Sequence, residues 1–421
     1  MTQTEISHDM SPPRHMAPAE PAGVVERGPS VGRLVGVDLA RALAVFGMFA
    51  VHVAPSAEVV GGFGGWLLEL TQGRSSVLFA TLAGFSLMLI AGRREPKTGL
   101  AGRQARFRIV IRALVLLALG TALTMLKTGI AVILAFYGVY FLLALPLVRL
   151  RARTLAITAA VLAVVAPQAA FGLQWLLSES VAETLITYDP IARLGGEGLL
   201  SLLLYGTYPA ITWMPFVIAG MALARLDLAA GAVQRRLAAL GPALMALGYG
   251  SSWLAVRLTP SIQADEAPLK DIFADLDTKS IEALEPRSAA LDALQDKTDV
   301  GSMALSLLGS EPHSGTTFEI VGSLGVAITV LLCATVAMAR LAWLRRLASP
   351  LIAVGTMSLT LYVAHVAGYA MLPEGATSTF VPLLGFIAGS ILFATLWSRF
   401  FSRGPLEHLL NSTTKLAKFV R

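Results

Sequence analysis

Ten apolar runs, at about 35–54, 75–92, 109–126, 130–148, 154–173, 199–224, 237–257, 319–340, 350–372 and 379–401, restrict what this 421-residue chain can fold into. Each is near the roughly 20 residues that cross a bilayer as a helix. Inside hydrocarbon a helix is one of the few structures that pairs every backbone N–H and C=O. With 55% hydrophobic and 14% charged residues, and a mean hydropathy of +0.68, the expectation is all-α: a polytopic integral membrane helical bundle of about ten transmembrane helices. The boundary between the third and fourth runs rests on Lys127-Thr128-Gly129 alone.

Charge between the runs sets an orientation. Arg93, Arg94, Lys97, Arg103, Arg106 and Arg108 follow the second run; Arg149, Arg151 and Arg153 follow the fourth; Arg225, Arg235 and Arg236 follow the sixth; Arg340, Arg345 and Arg346 follow the eighth. Every even-to-odd junction is basic, so by the positive-inside rule these loops, and with ten spans both termini, are cytoplasmic. The net charge of +6 is therefore topological. Nucleic-acid binding would want basic residues interleaved with exposed aromatics on a soluble face, and no nucleic-acid partner is expected.

The domain organisation follows. Residues 1–33 carry Pro12, Pro13, Pro18, Pro21 and Pro29 among polar residues and are expected to be a disordered cytoplasmic tail. Residues 34–407 form the transmembrane domain, and 408–421 a basic cytoplasmic tail. An extracytoplasmic insertion at 258–318, acidic between 261 and 311, is expected to be a small helical cap or lid. The glycine-rich stretch 55–73 suits a short interfacial helix, and no apolar segment precedes the first run, which argues against a cleaved signal peptide. The single Cys333 is most simply a small core residue; it rules out a disulfide framework and a cysteine metal site. No metal is expected.

Arg41 and His52 stand eleven residues apart inside the first run. That spacing is about 20° past three full helical turns and about 16 Å of rise, so both lie on one stripe, with Asp38 one turn before Arg41. Ionisable groups at such positions are functional-site candidates. An imidazole can act as general base or nucleophile, or it can order the bundle by an interhelical hydrogen bond. A guanidinium can clamp phosphate, or pair with Asp38 and snorkel. Arg74 and Ser75 open the second run; His365 lies in the outer half of the ninth; His313 precedes the eighth in Pro312-His313-Ser314-Gly315-Thr316. Thr316 and Glu319 have capping-box spacing. Gly206, Pro209, Pro215 and Gly220 predict a kinked or broken sixth helix facing protein or a cavity.

Asp38-Leu39-Ala40-Arg41-Ala42-Leu43-Ala44 with His52 resembles the opening Asp-x-x-Arg-Gly-x-Ala of the heparan-alpha-glucosaminide N-acetyltransferase-like proteins. The Arg-x10-His spacing is similar to that of membrane acyltransferase family 3, and the two groups look like branches of one superfamily. Gly73-Arg74-Ser75-Ser76-Val77-Leu78-Phe79-Ala80-Thr81-Leu82-Ala83-Gly84, Pro312-His313-Ser314-Gly315-Thr316 and Gly404-Pro405-Leu406-Glu407 resemble bacterial members, so the likeness spans about 34–407.

The resemblance implies a membrane acyltransferase of bacterial plasma-membrane type. It would take an acyl group, commonly acetyl, from cytoplasmic acyl-coenzyme A to an amine or hydroxyl of an extracytoplasmic, glycan-like acceptor. Arg41, Asp38 and Arg112, with the basic residues at that surface, would hold coenzyme A phosphates. The pantetheine arm would follow the Arg41–His52 stripe, His52 and His313 would carry the catalysis, and Arg74, Ser75, His365 and Glu319 would face the acceptor. Two departures stand out. Residues 53–74 contain no histidine, where the animal enzymes place their catalytic one, so His52 replaces it or His313 reaches in; and Ala42 stands where the pattern has glycine. A multi-span transporter or exporter, and a scaffold whose acidic loop binds a partner, are the alternatives.

Overall fold

The computed structural model describes residues 34–259 and 305–420, except 178, 194 and 374. From Val35 onward the chain belongs to one compact unit. The expected tail at 1–33 and most of the expected cap at 258–318 lie outside the described residues.

Every regular element among the described residues is helical. The main helices are α1 (Val35–Val53), α2 (Gly62–Thr71), α3 (Arg74–Ala91), α4 (Gly99–Thr124), α5 (Ile133–Ala144), α6 (Ala152–Leu176), α7 (Glu179–Tyr188) and α8 (Ala210–Arg225). They continue with α9 (Gly231–Leu258, with a π turn at Ala246–Gly250) and α10 (Thr317–Arg340). The last four are α11 (Ser349–Thr356), α12 (Ser358–Tyr369), α13 (Val381–Trp397) and α14 (Pro405–Thr413).

Each of the ten apolar runs is helical, but the expected ten full spans are not all present. Among the described residues six helices are long and apolar enough to cross a membrane, or seven if α11 and α12, bent by 81°, make one broken span. The runs of α5, α8 and α13 are shorter apolar helices. The reason is local. The 12 residues of α5 rise about 18 Å, short of the roughly 30 Å hydrocarbon core, before Pro146 tightens the chain into a 3-10 turn. The run leading into α8 breaks as Pro209 and Gly206 predict: a π turn at Ser201–Tyr205 gives way to extended backbone, and α8 starts only at Ala210. Lys127-Thr128-Gly129 does separate α4 from α5, with Lys127 and Gly129 both at positive φ.

Two helices organise the packing. α1 packs against α3, α10, α11, α12 and α13, and α8 packs against α3, α5, α6 and α10. Small residues permit this. Along α1, Ala40, Ala42 and Ala44 are buried, so alanine at position 42 is accommodated. Where α3 meets α8, a Cβ on Gly84 would strike the Val217 carbonyl oxygen, and one on Gly220 the Thr81 carbonyl oxygen. Gly84→Ala or Gly220→Ala is therefore expected to cost about 1–3 kcal/mol by overpacking. A lowered thermal midpoint in detergent would report it, whereas an unchanged midpoint would mean that the two backbones do not approach so closely. Cys333 is exposed on α10 rather than in the core, which corrects its expected place: α10 turns that face away from its neighbours.

Candidate active site

α1 carries two polar centres, one near each end. Near its start, Arg41 donates from Nη1 to Asp38 Oδ1 and from Nη2 to Ser86 Oγ, both at 2.7 Å. Ser86 belongs to α3, and its hydroxyl donates a hydrogen bond to the Leu82 carbonyl at 2.6 Å. The guanidinium is thus fixed against two helices, with 19% of its side chain exposed. Arg112 of α4 lies within electrostatic range of Arg41, Arg403 and Glu407, and it makes no hydrogen bond or ion pair among the described residues. Arg41 and Arg112 together are cations suited to an anion such as a phosphate.

Glu407 serves the broken helix pair. Its Oε1 accepts from the N–H of Leu359 at 2.8 Å and of Thr360 at 3.2 Å, and its Oε2 from Thr360 Oγ1 at 2.5 Å. A carboxylate from α14 thereby caps the N-terminus of α12, where free N–H groups and the helix dipole favour negative charge. The cap aims α12 along α1, which brings His365 to His52.

His52 Nδ1 and His365 Nε2 are 2.9 Å apart, with ring planes inclined by only 4°. His365 Nδ1 lies 2.7 Å from the Tyr362 carbonyl oxygen. A carbonyl can only accept, so His365 Nδ1 carries the proton and, in the neutral ring, its Nε2 accepts. His52 must then donate from Nδ1, which leaves its Nε2 as an unprotonated lone pair. Nε2 has no hydrogen-bond partner among the described residues. His365 is buried and held in an aromatic frame of Phe49, Tyr362 and Phe386, whereas His52 is half-buried. Such a pair is a base or nucleophile oriented by a second group.

His313 lies within electrostatic range of His52. Its ring stacks on Trp213 at 5.8 Å and meets Tyr208 edge-on at 5.1 Å. Burial pushes this loop imidazole down to about 4, so it is neutral near pH 7. Its Nδ1 is buried without a hydrogen-bond partner, and its backbone takes φ +66, a region non-glycine residues seldom occupy. Glu319 maintains this conformation: Oε1 accepts from the His313 N–H at 3.1 Å and Oε2 from the Gly315 N–H at 2.8 Å. Thr316 caps α10 by accepting from the Glu319 N–H at 3.1 Å. The capping-box spacing is thus used, but the carboxylate reaches upstream to hold the histidine loop, and both its oxygens are occupied.

Arg74, at the same end, donates from Nε to the Tyr249 hydroxyl at 3.1 Å and from Nη1 to the Glu69 carbonyl at 3.0 Å. Ser75 is buried against Gly47 of α1. The structure therefore brings together His52 and His365, sets His313 and Glu319 beside them, pairs Asp38 with Arg41, and leaves Arg112 near that pair. Of the tryptophans at this end, Trp66 and Trp175 are more than half exposed, and only Trp213 is buried at the site.

Sequence reasoning missed Ser86, Tyr362 and Tyr137. Ser86 is a hydroxyl inside an apolar run and signals itself weakly. Tyr362 acts through its carbonyl, which no side-chain pattern reveals. Tyr137 is buried with its hydroxyl unpartnered, stacked on Phe79, which in turn stacks on Tyr362.

The family model described as heparan-alpha-glucosaminide N-acetyltransferase, catalytic, matches residues 33–251, which is more than half of the 421 residues. The chain belongs to that family. A second model, described as a protein of unknown function (DUF418), matches residues 297–417. No curated protein and no solved structure matches the chain. Membership makes this an integral membrane protein with a catalytic domain of the acetyltransferase type, a family whose donors are in general acyl-coenzyme A. The two matches share the site between them. Arg41, His52, Arg74 and Arg112 come from the first, and His313, Glu319, His365 and Glu407 from the second. The histidine pair joins the two matched regions.

Proposed function

We propose that this protein transfers an acetyl group from cytoplasmic acetyl-coenzyme A to an amine or hydroxyl of a glycan acceptor on the far side of the membrane. The observation that carries the proposal is the His52–His365 hydrogen bond, whose partners leave His52 Nε2 as the free base. Arg41 and Arg112 would hold the donor's phosphates. The rise of about 16 Å from Arg41 to His52 suits a pantetheine arm laid along α1. His52 Nε2 takes the proton of the acceptor N–H or O–H as the acceptor atom bonds to the thioester carbonyl carbon. The C–S bond then breaks, and the departing thiolate recovers that proton from the imidazolium. His365 is a positioning residue that fixes the His52 tautomer and steadies the imidazolium, as the third group of a catalytic triad does. His313, whose ring packs against Trp213 and Tyr208, would border the acceptor.

In this proposal the basic junctions, both termini and the tails at 1–33 and 408–421 are cytoplasmic, and the 258–318 insertion faces outward. The membrane is a plasma membrane of bacterial type. The bent α11–α12 pair also suits a transporter, in which broken helices line the binding site. Purified full-length protein supplied with acetyl-coenzyme A and an amino-sugar or polyol acceptor decides between them. Acceptor-dependent release of free thiol is expected. Movement of a sugar into proteoliposomes with no thioester consumed would overturn the enzyme assignment.

A further inference from the structure

Between the two polar centres of α1 lies a row of packed rings, and one of them carries a hydroxyl that the chain leaves unused. Tyr137 of α5 is 4% exposed, and its hydroxyl is buried with no hydrogen-bond partner among the described residues. The buried tyrosines beside it have theirs. Tyr140 donates to the Tyr208 carbonyl at 2.5 Å, and the Tyr362 hydroxyl accepts from the Ile133 N–H at 3.2 Å. A hydroxyl taken out of water with no partner carries its full desolvation cost, and phenylalanine would fill the same space without that cost. Buried polar groups are nearly always satisfied, so this exception points to a partner from outside the chain.

The packing around Tyr137 fixes its level in the bundle. Its neighbour Gly138 faces α4, where a Cβ would lie 2.6 Å from the Ala113 carbonyl oxygen. This turn of α5 therefore meets α4 next to Arg112. The Tyr137 ring stacks on Phe79 of α3 at 5.6 Å, and Phe79 stacks on Tyr362 of α12 at 6.2 Å. Tyr362 in turn meets His365 edge-on at 5.1 Å, and His365 bonds His52. Phe79 stands on α3 between Ser86, which binds Arg41, and Ser75, which packs against Gly47 of α1. From Ser86 to Phe79 the helix rises about 10 Å. Tyr137 thus lies between the Arg41–Arg112 end and the histidine pair, part-way along the interval that the donor's arm would cover.

We infer that the Tyr137 hydroxyl donates a hydrogen bond to an amide carbonyl of the donor's pantetheine arm. The arm is a mostly apolar chain interrupted by amides, and each amide needs a partner once it leaves water. A phenol is neutral near pH 7 and has one proton to donate, so it suits a carbonyl and holds no phosphate. The cations would bind one end of the donor and Tyr137 its middle. This inference rests on the acyl-transfer proposal and adds to it a residue that recognises the arm.

The test uses the purified full-length protein in detergent and two ligands: coenzyme A, and its phosphoadenosine diphosphate half, which keeps every phosphate and lacks the arm. Tyr137→Phe is expected to bind coenzyme A about 3–10-fold more weakly, the worth of one hydrogen bond, and to bind the nucleotide half as wild type does. Its thermal midpoint without ligand should equal or exceed that of wild type, because an unsatisfied hydroxyl has been removed. Tyr140→Phe, which deletes a bonded hydroxyl, should lower the midpoint instead. Equal coenzyme A affinity in wild type and Tyr137→Phe would overturn this inference alone. Equal losses for both ligands, or a lowered midpoint in Tyr137→Phe, would also overturn it by giving the hydroxyl a structural role. Wild-type protein that binds neither ligand would overturn the acyl-transfer proposal and this inference together.

Discussion

Replacing His52 by alanine is expected to lower acetyl-coenzyme A turnover by about 10²–10⁴-fold, the usual contribution of a positioned general base, with little change in coenzyme A affinity. The geometry explains why the loss falls there. His52 Nε2 is the nitrogen left bare by the chain from His52 through His365 to the Tyr362 carbonyl. His313 also carries a lone imidazole nitrogen, yet its Nδ1 is buried between Trp213 and Tyr208, and Glu319 holds its backbone. A smaller loss is therefore expected for His313→Ala than for His52→Ala under the same assay. Equal losses would mean that the two imidazoles share the proton transfer.

The second large effect is expected at Arg41. Arg41→Ala should weaken coenzyme A binding by about 10–100-fold, the equivalent of losing charge-assisted hydrogen bonds worth roughly 1.5–3 kcal/mol, while turnover at saturating donor stays close to wild type. Because the guanidinium also binds Asp38 and Ser86, the substitution should lower thermal stability as well. Arg41→Lys separates the two roles. It keeps the charge but loses the planar fork, so stability should recover more than donor affinity does. Isothermal titration with coenzyme A beside a thermal unfolding scan reads both quantities. Unchanged binding by Arg41→Ala would remove the clamp.

How much of this was legible in the sequence differs from residue to residue. Helical class and membrane residence followed from hydropathy, because apolar length is a direct physical requirement of the bilayer. The stripe of Asp38, Arg41 and His52 was equally direct, since helical geometry alone aligns them. The number of full spans was not. Proline and glycine within 199–224 gave warning of a break; Pro146, close to the end of 130–148, and Pro382, at the start of α13, are weaker signs that these two helices are short. The bend between α11 and α12 carries no proline at Met357; it is supported from the far end of the chain by Glu407. That long-range contact is also why His365 appeared in the sequence as an isolated residue. Its pairing with His52 spans 313 positions, and its other partner is a backbone carbonyl. Glu319 had the opposite history: its capping spacing was visible, but not that its carboxylate would secure the His313 loop.

The proton path is the centre of this account, and a double-substitution cycle on turnover tests it most directly. Acetyl-transfer rates at saturating donor are compared for His52→Ala, His365→Ala and the double variant. If His365 acts only through His52, the double variant is predicted to turn over no more slowly than His52→Ala alone, because groups working as one unit are strongly non-additive. Losses that multiply in the double variant, or full turnover in His52→Ala, would contradict the account.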